Sequence, residues 1–318
     1  MSGDSAGQVA PKDVRTIACA GTGVIGGGWV AYFLANGYRV VAWDPAPDAE
    51  TRLRHLVDNA WPALTEIGLA AGASRDNLTF EPDLAIAVAD ADVVQESAPE
   101  SLDLKVQLLA DIDAVAPPRV VVASSTSGYG MTEMQAACVR PERTVVAHPF
   151  NPPYLIPLVE VVGGARTAPG VVAWTSDFFR HAGKSVITMD REVPGFIANR
   201  LQEAMWREAL HMLAAGEATV EQLDLAITEG PGLRWPIHGP CMTFHLAGGQ
   251  GGMAHMLDHF GPSLEEPWTR LESTELTPHL RDAVVAGCER EAAGRSIDEL
   301  IAERDRGVIA ILRALGRL

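Results

Sequence analysis

Apolar residues in the first part of the chain fall into short continuous runs, separated by longer segments whose apolar positions recur at helical spacing. Residues 14–20 form the first such run, and further runs at 39–43, 77–80, 92–95, 119–123 and 184–189 read as strands. Between them, residues 24–36, a long stretch reaching residue 69, and residues 102–115 carry helical patterns. Uninterrupted apolar strands alternating with helices predict a parallel sheet covered on both faces. Beyond residue 191 the pattern changes. Val193, Pro194 and Gly195 break it, a helix is expected over 196–215, and all later periodicity is helical, punctuated by GPGLRWPIHGP, AGGQGG and FGPSLEEP.

The first strand runs directly into GTGVIGGGW, where Gly21, Gly23 and Gly26 stand in G-x-G-x-x-G spacing, with Thr22, Val24 and Ile25 in the same turn. A strand, a glycine turn, a helix and a second strand ending on Asp44 supply the full context in which this spacing binds a dinucleotide. Gly21 permits the tight turn, Gly23 lets backbone amides approach a pyrophosphate, and Gly26 allows close helix packing. Asp44 is placed to accept the ribose hydroxyls and to repel a 2'-phosphate, so NAD is expected rather than NADP. Arg52 and Arg54 on the following helix weigh slightly the other way. The expected fold is therefore α/β: a Rossmann-like doubly wound NAD-binding domain over residues 1–191, its first 13 residues a disordered tail, and a second, all-α domain over 192–318 for substrate binding and dimerisation.

Two further stretches carry chemistry. The strand over 119–123 ends in SSTSGYG, which puts Ser127 at a carboxyl end where open α/β sheets bind ligands; plain turn chemistry is the alternative. The segment VVAHPFNPPYLIPLVEVV places two extended runs on either side of a proline-rich turn, a spacing that suits a hairpin-like return with Glu160 beside His148. Such a pair is either a tuned proton acceptor or a buried salt bridge. On the helix that follows, Asn199, Glu203 and Trp206 at i, i+4 and i+7 share a face.

Composition narrows the partners. A formal charge of -16 disfavours nucleic acid and anionic membrane surfaces, and no apolar run approaches membrane-span length. The four cysteines are scattered, with no C-x-x-C pair, so neither a metal site nor a disulfide framework is expected and a reducing, cytoplasmic setting is. Only Lys12, Lys105 and Lys184 are lysines, which leaves little to hold a phosphorylated carrier.

The glycine fingerprint, TSG, HPFNPPYLIPLVEVV and VPGFIANRL together resemble the β-hydroxyacyl-coenzyme A dehydrogenase superfamily over essentially the whole chain. GPGLRWPIHGPCMTFHLAGGQGG, HFGPSLEEPW and RSIDEL are similar to the short branch acting on free β-hydroxy acids. The resemblance implies NAD-dependent oxidation of a β-hydroxyl, with His148 as general base paired with Glu160, and Ser127 and Asn199 holding the substrate oxygen. It implies that Glu100, Lys105, Ser127 and Asn151 lie at the nicotinamide half of the cofactor, that Arg234 pairs with the substrate carboxylate, and that the protein is a homodimer. The substrate expected is L-carnitine, ahead of L-gulonate or an acyl-coenzyme A; a crystallin-like structural protein is the alternative outside enzymes. A quaternary ammonium donates no hydrogen bond, so Trp235 or Trp206, with Tyr154 or Phe244, is expected to receive it, Glu203 adding negative potential. Ordinary core packing is the competing reading for each aromatic. An apolar helical face at Ile309, Leu312 and Leu315 is expected against a second subunit or within the chain.

Overall fold

The computed structural model describes residues 7–260, 269 and 275–318. Residues 1–6 of the expected tail, and 261–268 of the HFGPSLEEPW motif, lie outside them.

The chain divides into two compact units, residues 1–199 and 200–318. In the first, the order is β1 (Thr16–Ala20), α1 (Val24–Ala35), β2 (Arg39–Trp43), α2 (Ala49–Ile67), β3 (Leu78–Phe80), α3 (Leu84–Ala89), β4 (Val93–Glu96), α4 (Leu102–Val115), β5 (Val121–Ser124), α5 (Met131–Met134), β6 (Thr144–Pro149), β7 (Leu158–Val162), α6 (Pro169–His181) and β8 (Ser185–Met189). The strands form one eight-stranded sheet in the order β3-β2-β1-β4-β5-β6-β7-β8. Pairings are parallel except for β6 with β7, which run antiparallel. The order reverses between β1 and β4, so the carboxyl ends of these two strands open the crevice where doubly wound sheets bind ligands.

Burial explains why these runs are strands. Every residue of β1, β4, β5 and β6 is buried, as expected for strands covered on both faces. One core packs α1, α2 and α6 on one face, around the stacked rings of Trp29 and Phe33. The other packs α3, α4 and α5 around Leu109, Ile112 and Met131. The segment from residue 9 to 13, expected to belong to a disordered tail, is instead attached to the first core. The Trp174 indole donates to the Val9 carbonyl at 2.7 Å, and Pro11–Asp13 form a 3-10 turn.

The chain passes from β8 into α7 (Ala198–Ala214) through two consecutive left-handed residues, Gly195 (φ 67°) and Phe196 (φ 55°). A non-glycine residue there carries local strain on the order of 1–2 kcal/mol, and the Phe196 ring is fully buried. The second unit continues with α8 (Val220–Thr228), α9 (Pro240–Ala247), α10 (Gly252–Phe260), α11 (Pro278–Ala292) and α12 (Ile297–Ala314). Capping boxes start α8 at Thr219 and α12 at Ser296. On α12, Ile309 and Leu312 are buried within their own chain, so packing inside the chain accounts for that apolar face.

Candidate active site

A cleft of about 630 Å³ opens where β1 and β4 end. Its floor is the glycine turn. Gly21 has φ 92°, and a side chain there would strike the Ser97 carbonyl carbon at 2.6 Å; at Gly26 it would meet the Gly21 carbonyl oxygen at 2.0 Å. Gly23 faces open space, with nothing within 4 Å of where its Cβ would be. The first turn of α1, with Val24 and Ile25, therefore points unpaired amides into a space that only a backbone cradle leaves free, which fits a pyrophosphate. Asp44, at the end of β2, lines the same cleft. One of its oxygens accepts from the Thr22 amide (2.8 Å) and hydroxyl (3.0 Å), the other from the Ala46 amide (2.9 Å). The acid is thus held in place at one end of the cleft.

The opposite wall contains Glu100 and Ser127. A single Glu100 oxygen accepts from the Thr126 hydroxyl (2.7 Å) and from the amides of Ser127 (2.9 Å) and Gly128 (3.1 Å), so the glutamate fixes the turn that carries Ser127. Lys105, expected to touch the cofactor, is instead fully buried. Its ammonium pairs with Glu96 at 2.9 Å, donates to the Ala98 carbonyl at 3.1 Å, and reaches the other Glu100 oxygen at 3.6 Å. A buried lysine beside two acids is neutralised by them, so it positions Glu100 and does not line the cleft itself.

His148 and Glu160 are directly opposite each other in the antiparallel β6–β7 pair. The return expected from the spacing is what brings them together. His148 Nδ1 and a Glu160 oxygen are hydrogen-bonded at 3.0 Å, and both side chains are buried. The imidazole is packed between the rings of Phe150 (4.8 Å) and Phe196 (5.3 Å). The second oxygen of Glu160 accepts from the amides of Ile197 and Ala198, each at 3.0 Å, at the start of α7. Burial alone would raise the Glu160 pKa, but the hydrogen bonds from His148, Ala198 and Ile197 together hold it below its ordinary value. An ionised carboxylate only accepts, so the proton between the two lies on Nδ1, and Nε2 faces Asn199. The Asn199 amide nitrogen lies 3.5 Å from Nε2 and donates to the Ser127 carbonyl at 2.8 Å. Ser127, His148, Glu160 and Asn199 therefore form one connected group within the first unit. Asn151 is exposed in the connection that follows β6, and Tyr154 packs against the first core.

Sequence reasoning missed part of this wall. Ser125 Oγ accepts from the Trp29 indole (3.2 Å) and the Gln95 amide (2.7 Å) and bonds Ser97 Oγ (2.9 Å), with Ser97 and Ser125 both lining the cleft. Glu96 and Thr126 were also unforeseen. Their roles depend on side chains meeting across neighbouring strands, for which a single sequence carries no signal.

The remaining candidates belong to the second unit. Glu203 lines a small pocket of about 210 Å³ with Arg200, Ala204 and Arg207, whose positive charges offset the negative potential expected of it. Trp206 (54 %), Trp235 (36 %) and Phe244 (51 %) are exposed, so they are not the ordinary core that was the competing reading. Arg234 follows a 3-10 turn, and its guanidinium has no partner among the described residues. Among those residues there is also no group of three or more His, Cys, Asp or Glu side chains able to hold a metal ion, and no helix long and apolar enough to cross a membrane.

Comparison with known proteins identifies the family. Residues 16–193 match the 3-hydroxyacyl-CoA dehydrogenase NAD binding domain, and residues 195–291 match the C-terminal domain of the same family. An L-carnitine dehydrogenase of Streptomyces coelicolor is 70% identical over 311 residues, covering 98% of each chain. One from Pseudomonas putida is 50% identical over 303 residues, covering 95% of this chain and 94% of that one. Among solved structures, 5-formyl-3-hydroxy-2-methylpyridine 4-carboxylic acid 5-dehydrogenase, an NAD+ dependent dismutase, superposes with a TM-score of 0.81 at 31% identity, covering 95% of this chain and 99% of that one. The chain belongs to the 3-hydroxyacyl-CoA dehydrogenase family and is an NAD-dependent enzyme of it.

Proposed function

We propose that this enzyme oxidises the β-hydroxyl of L-carnitine to the ketone 3-dehydrocarnitine. The observation that carries the reading is the His148–Glu160 pair, whose free Nε2 sits beside Asn199 and the Ser127 turn; relatives at 70% identity named L-carnitine dehydrogenase support the substrate. NAD would be held by the glycine turn and Asp44, and would supply the hydride acceptor for the β-carbon. His148 Nε2 accepts the hydroxyl proton as that carbon becomes a carbonyl. Glu160 keeps the ring in the tautomer with Nε2 unprotonated and stabilises the imidazolium formed. In the reverse direction His148 is the acid, and donors from Ser127 and Asn199 hold the oxygen while negative charge develops on it.

Arg234 is read as the carboxylate partner. Its guanidinium is unengaged among the described residues, and a planar fork matches a carboxylate in bidentate fashion. Exposed Trp206, Trp235 and Phe244 offer faces for the trimethylammonium. The second unit also exposes Leu201, Met205, Leu233 and Leu246, a distribution that supports a homodimer through this unit. The scattered free cysteines support a cytoplasmic location.

NADH formation measured across L-carnitine, D-carnitine, L-gulonate, 3-hydroxybutyrate and 3-hydroxybutyryl-coenzyme A tests the assignment. Turnover is expected with the first; preference for another overturns the substrate, and absence of turnover with all overturns the enzyme reading. Replacing Arg234 with Met should raise the KM for L-carnitine by about 10- to 100-fold, the worth of a charge-assisted hydrogen-bonded pair, with the KM for NAD unchanged.

A further inference from the structure

Lys184 immediately precedes β8 and is buried, yet no carboxylate pairs with it among the described residues. Its ammonium donates to the backbone carbonyls of Pro153 and of Ile156 (3.2 Å). It also lies 3.7 Å from the centroid of the Tyr32 ring and 5.1 Å from that of Trp29. Both rings belong to α1, the helix that begins at the glycine turn. Both carbonyls belong to the connection between β6 and β7, which carries Asn151 and begins two residues after His148.

Other contacts press the same two elements together. A side chain at Gly28 would meet Pro153 Cδ at 2.7 Å, so the connection lies directly on α1. The amides of Leu155 and Ile156 both donate to the Pro152 carbonyl, which keeps the connection folded. The Tyr32 hydroxyl donates to the Ala182 carbonyl, which fixes its ring under the ammonium. Trp29, on the other flank, reaches Ser125 in the cleft wall through its indole N–H.

We propose that Lys184 is a positioning residue for the nicotinamide half of the cofactor site: its ammonium clamps the 150–157 connection onto α1 and so fixes Asn151 and the exit from His148 relative to the glycine turn. This deepens the reading of the cleft as the NAD site and rests on it. Cation–π attraction and two charge-assisted bonds act together only while the amine is protonated. Burial lowers the Lys184 pKa to about 7, so the clamp weakens as pH rises through neutrality. The titratable group facing it is Tyr32 on α1, itself pushed up by burial and therefore neutral. The connection presents carbonyls, and α6 with its following turn presents those of Phe179 and Ala182, which accept from the Lys184 amide and Tyr32.

The test compares NADH with ADP-ribose, which lacks the nicotinamide, by titration calorimetry on the full chain and its Lys184→Met variant. NADH affinity is expected to fall about tenfold in the variant, the worth of one charged hydrogen bond, with ADP-ribose affinity unchanged within about twofold. In the wild-type chain the preference for NADH should decline from pH 6 to pH 8, bracketing the Lys184 pKa of about 7, and in the variant it should be flat. Gly28→Ala, which pushes the connection off α1 without touching the amine, should reproduce the selective loss and serves if Lys184→Met does not fold. Equal loss of both ligands, loss of neither, or an unchanged pH dependence overturns the proposal. A wild-type chain that binds neither ligand overturns the cleft assignment itself.

Discussion

Replacing Glu160 with Gln changes one atom and should invert the proton on His148. One oxygen of Glu160 accepts two amide protons at the start of α7. In the variant the side-chain carbonyl must keep that position, because an NH2 group facing two N–H donors is repelled. The NH2 end then faces His148 Nδ1, which has to become the acceptor, and the ring proton moves to Nε2, where the base should be. The loss follows by two independent routes. General-base catalysis contributes on the order of 10²–10⁴ in rate. A carboxylate stabilising an imidazolium with about 4 Å between the charge centres contributes about 4 kcal/mol at an effective dielectric constant of roughly 20, equivalent to about 10³ at 1.36 kcal/mol per decade. The expected outcome is a fall in kcat of about 10³ with the KM for NAD unchanged, read from NADH absorbance with L-carnitine as substrate. A kcat reduced less than about tenfold, with an unshifted pH profile, would refute the tautomer argument. Urea unfolding separates this from damage to the fold, since both amides keep an acceptor and the cost should stay near 1–3 kcal/mol. The same measurement carries a pH signature. Because the folded pKa of Glu160 is depressed, its contribution is complete above the unfolded carboxyl value of about 4.3 and is lost as pH falls through the folded value. The acid limb of stability against pH should therefore be shallower in the variant.

Two further changes probe the cleft. Asp44→Ala should lower kcat/KM for NAD by about 10- to 100-fold, from the loss of charged hydrogen bonds, and should narrow the NAD to NADP ratio measured under identical conditions; an unchanged ratio would remove Asp44 from cofactor selection. Gly26→Ala drives a methyl group into the Gly21 carbonyl, 2.0 Å away, and because that obstacle is backbone the cost should be about 3 kcal/mol or more, visible as a lowered urea midpoint together with loss of NADH binding. A variant as stable as the parent would show that the turn relaxes.

The sequence made the backbone of the site readable because its signals are local. Gly26 is required by a close approach within its own turn, Gly21 by its positive φ, and Gly23 leaves the turn open; His148 and Glu160 are linked by a single short return, so spacing alone brings them together. The apolar runs that became β1, β2 and β8 were visible for the same reason, being buried throughout or bounded by glycine and proline. What stayed hidden depends on contacts between distant elements. Lys105 looks like a free cation in the chain, and only the parallel sheet brings Glu96 and the Glu100 turn around it. Lys184 gives no signal at all, since its partners are two carbonyls and two aromatic faces. The segment at residues 9–13 has the composition of a disordered end, and one indole hydrogen bond to Val9 is invisible to composition.

The two oxygens of Glu160 serve different clients: one holds the His148 ring, while the other closes the first turn of a helix whose remainder belongs to the second unit. This bears on recombination of the chain with its relatives. A chimera joined at residue 191 or 195 would exchange the amides that hold Glu160, and with them Asn199. A crossover placed after Asn199 would transfer a new helical domain while leaving His148, Glu160 and the amide beside Nε2 as one inherited piece.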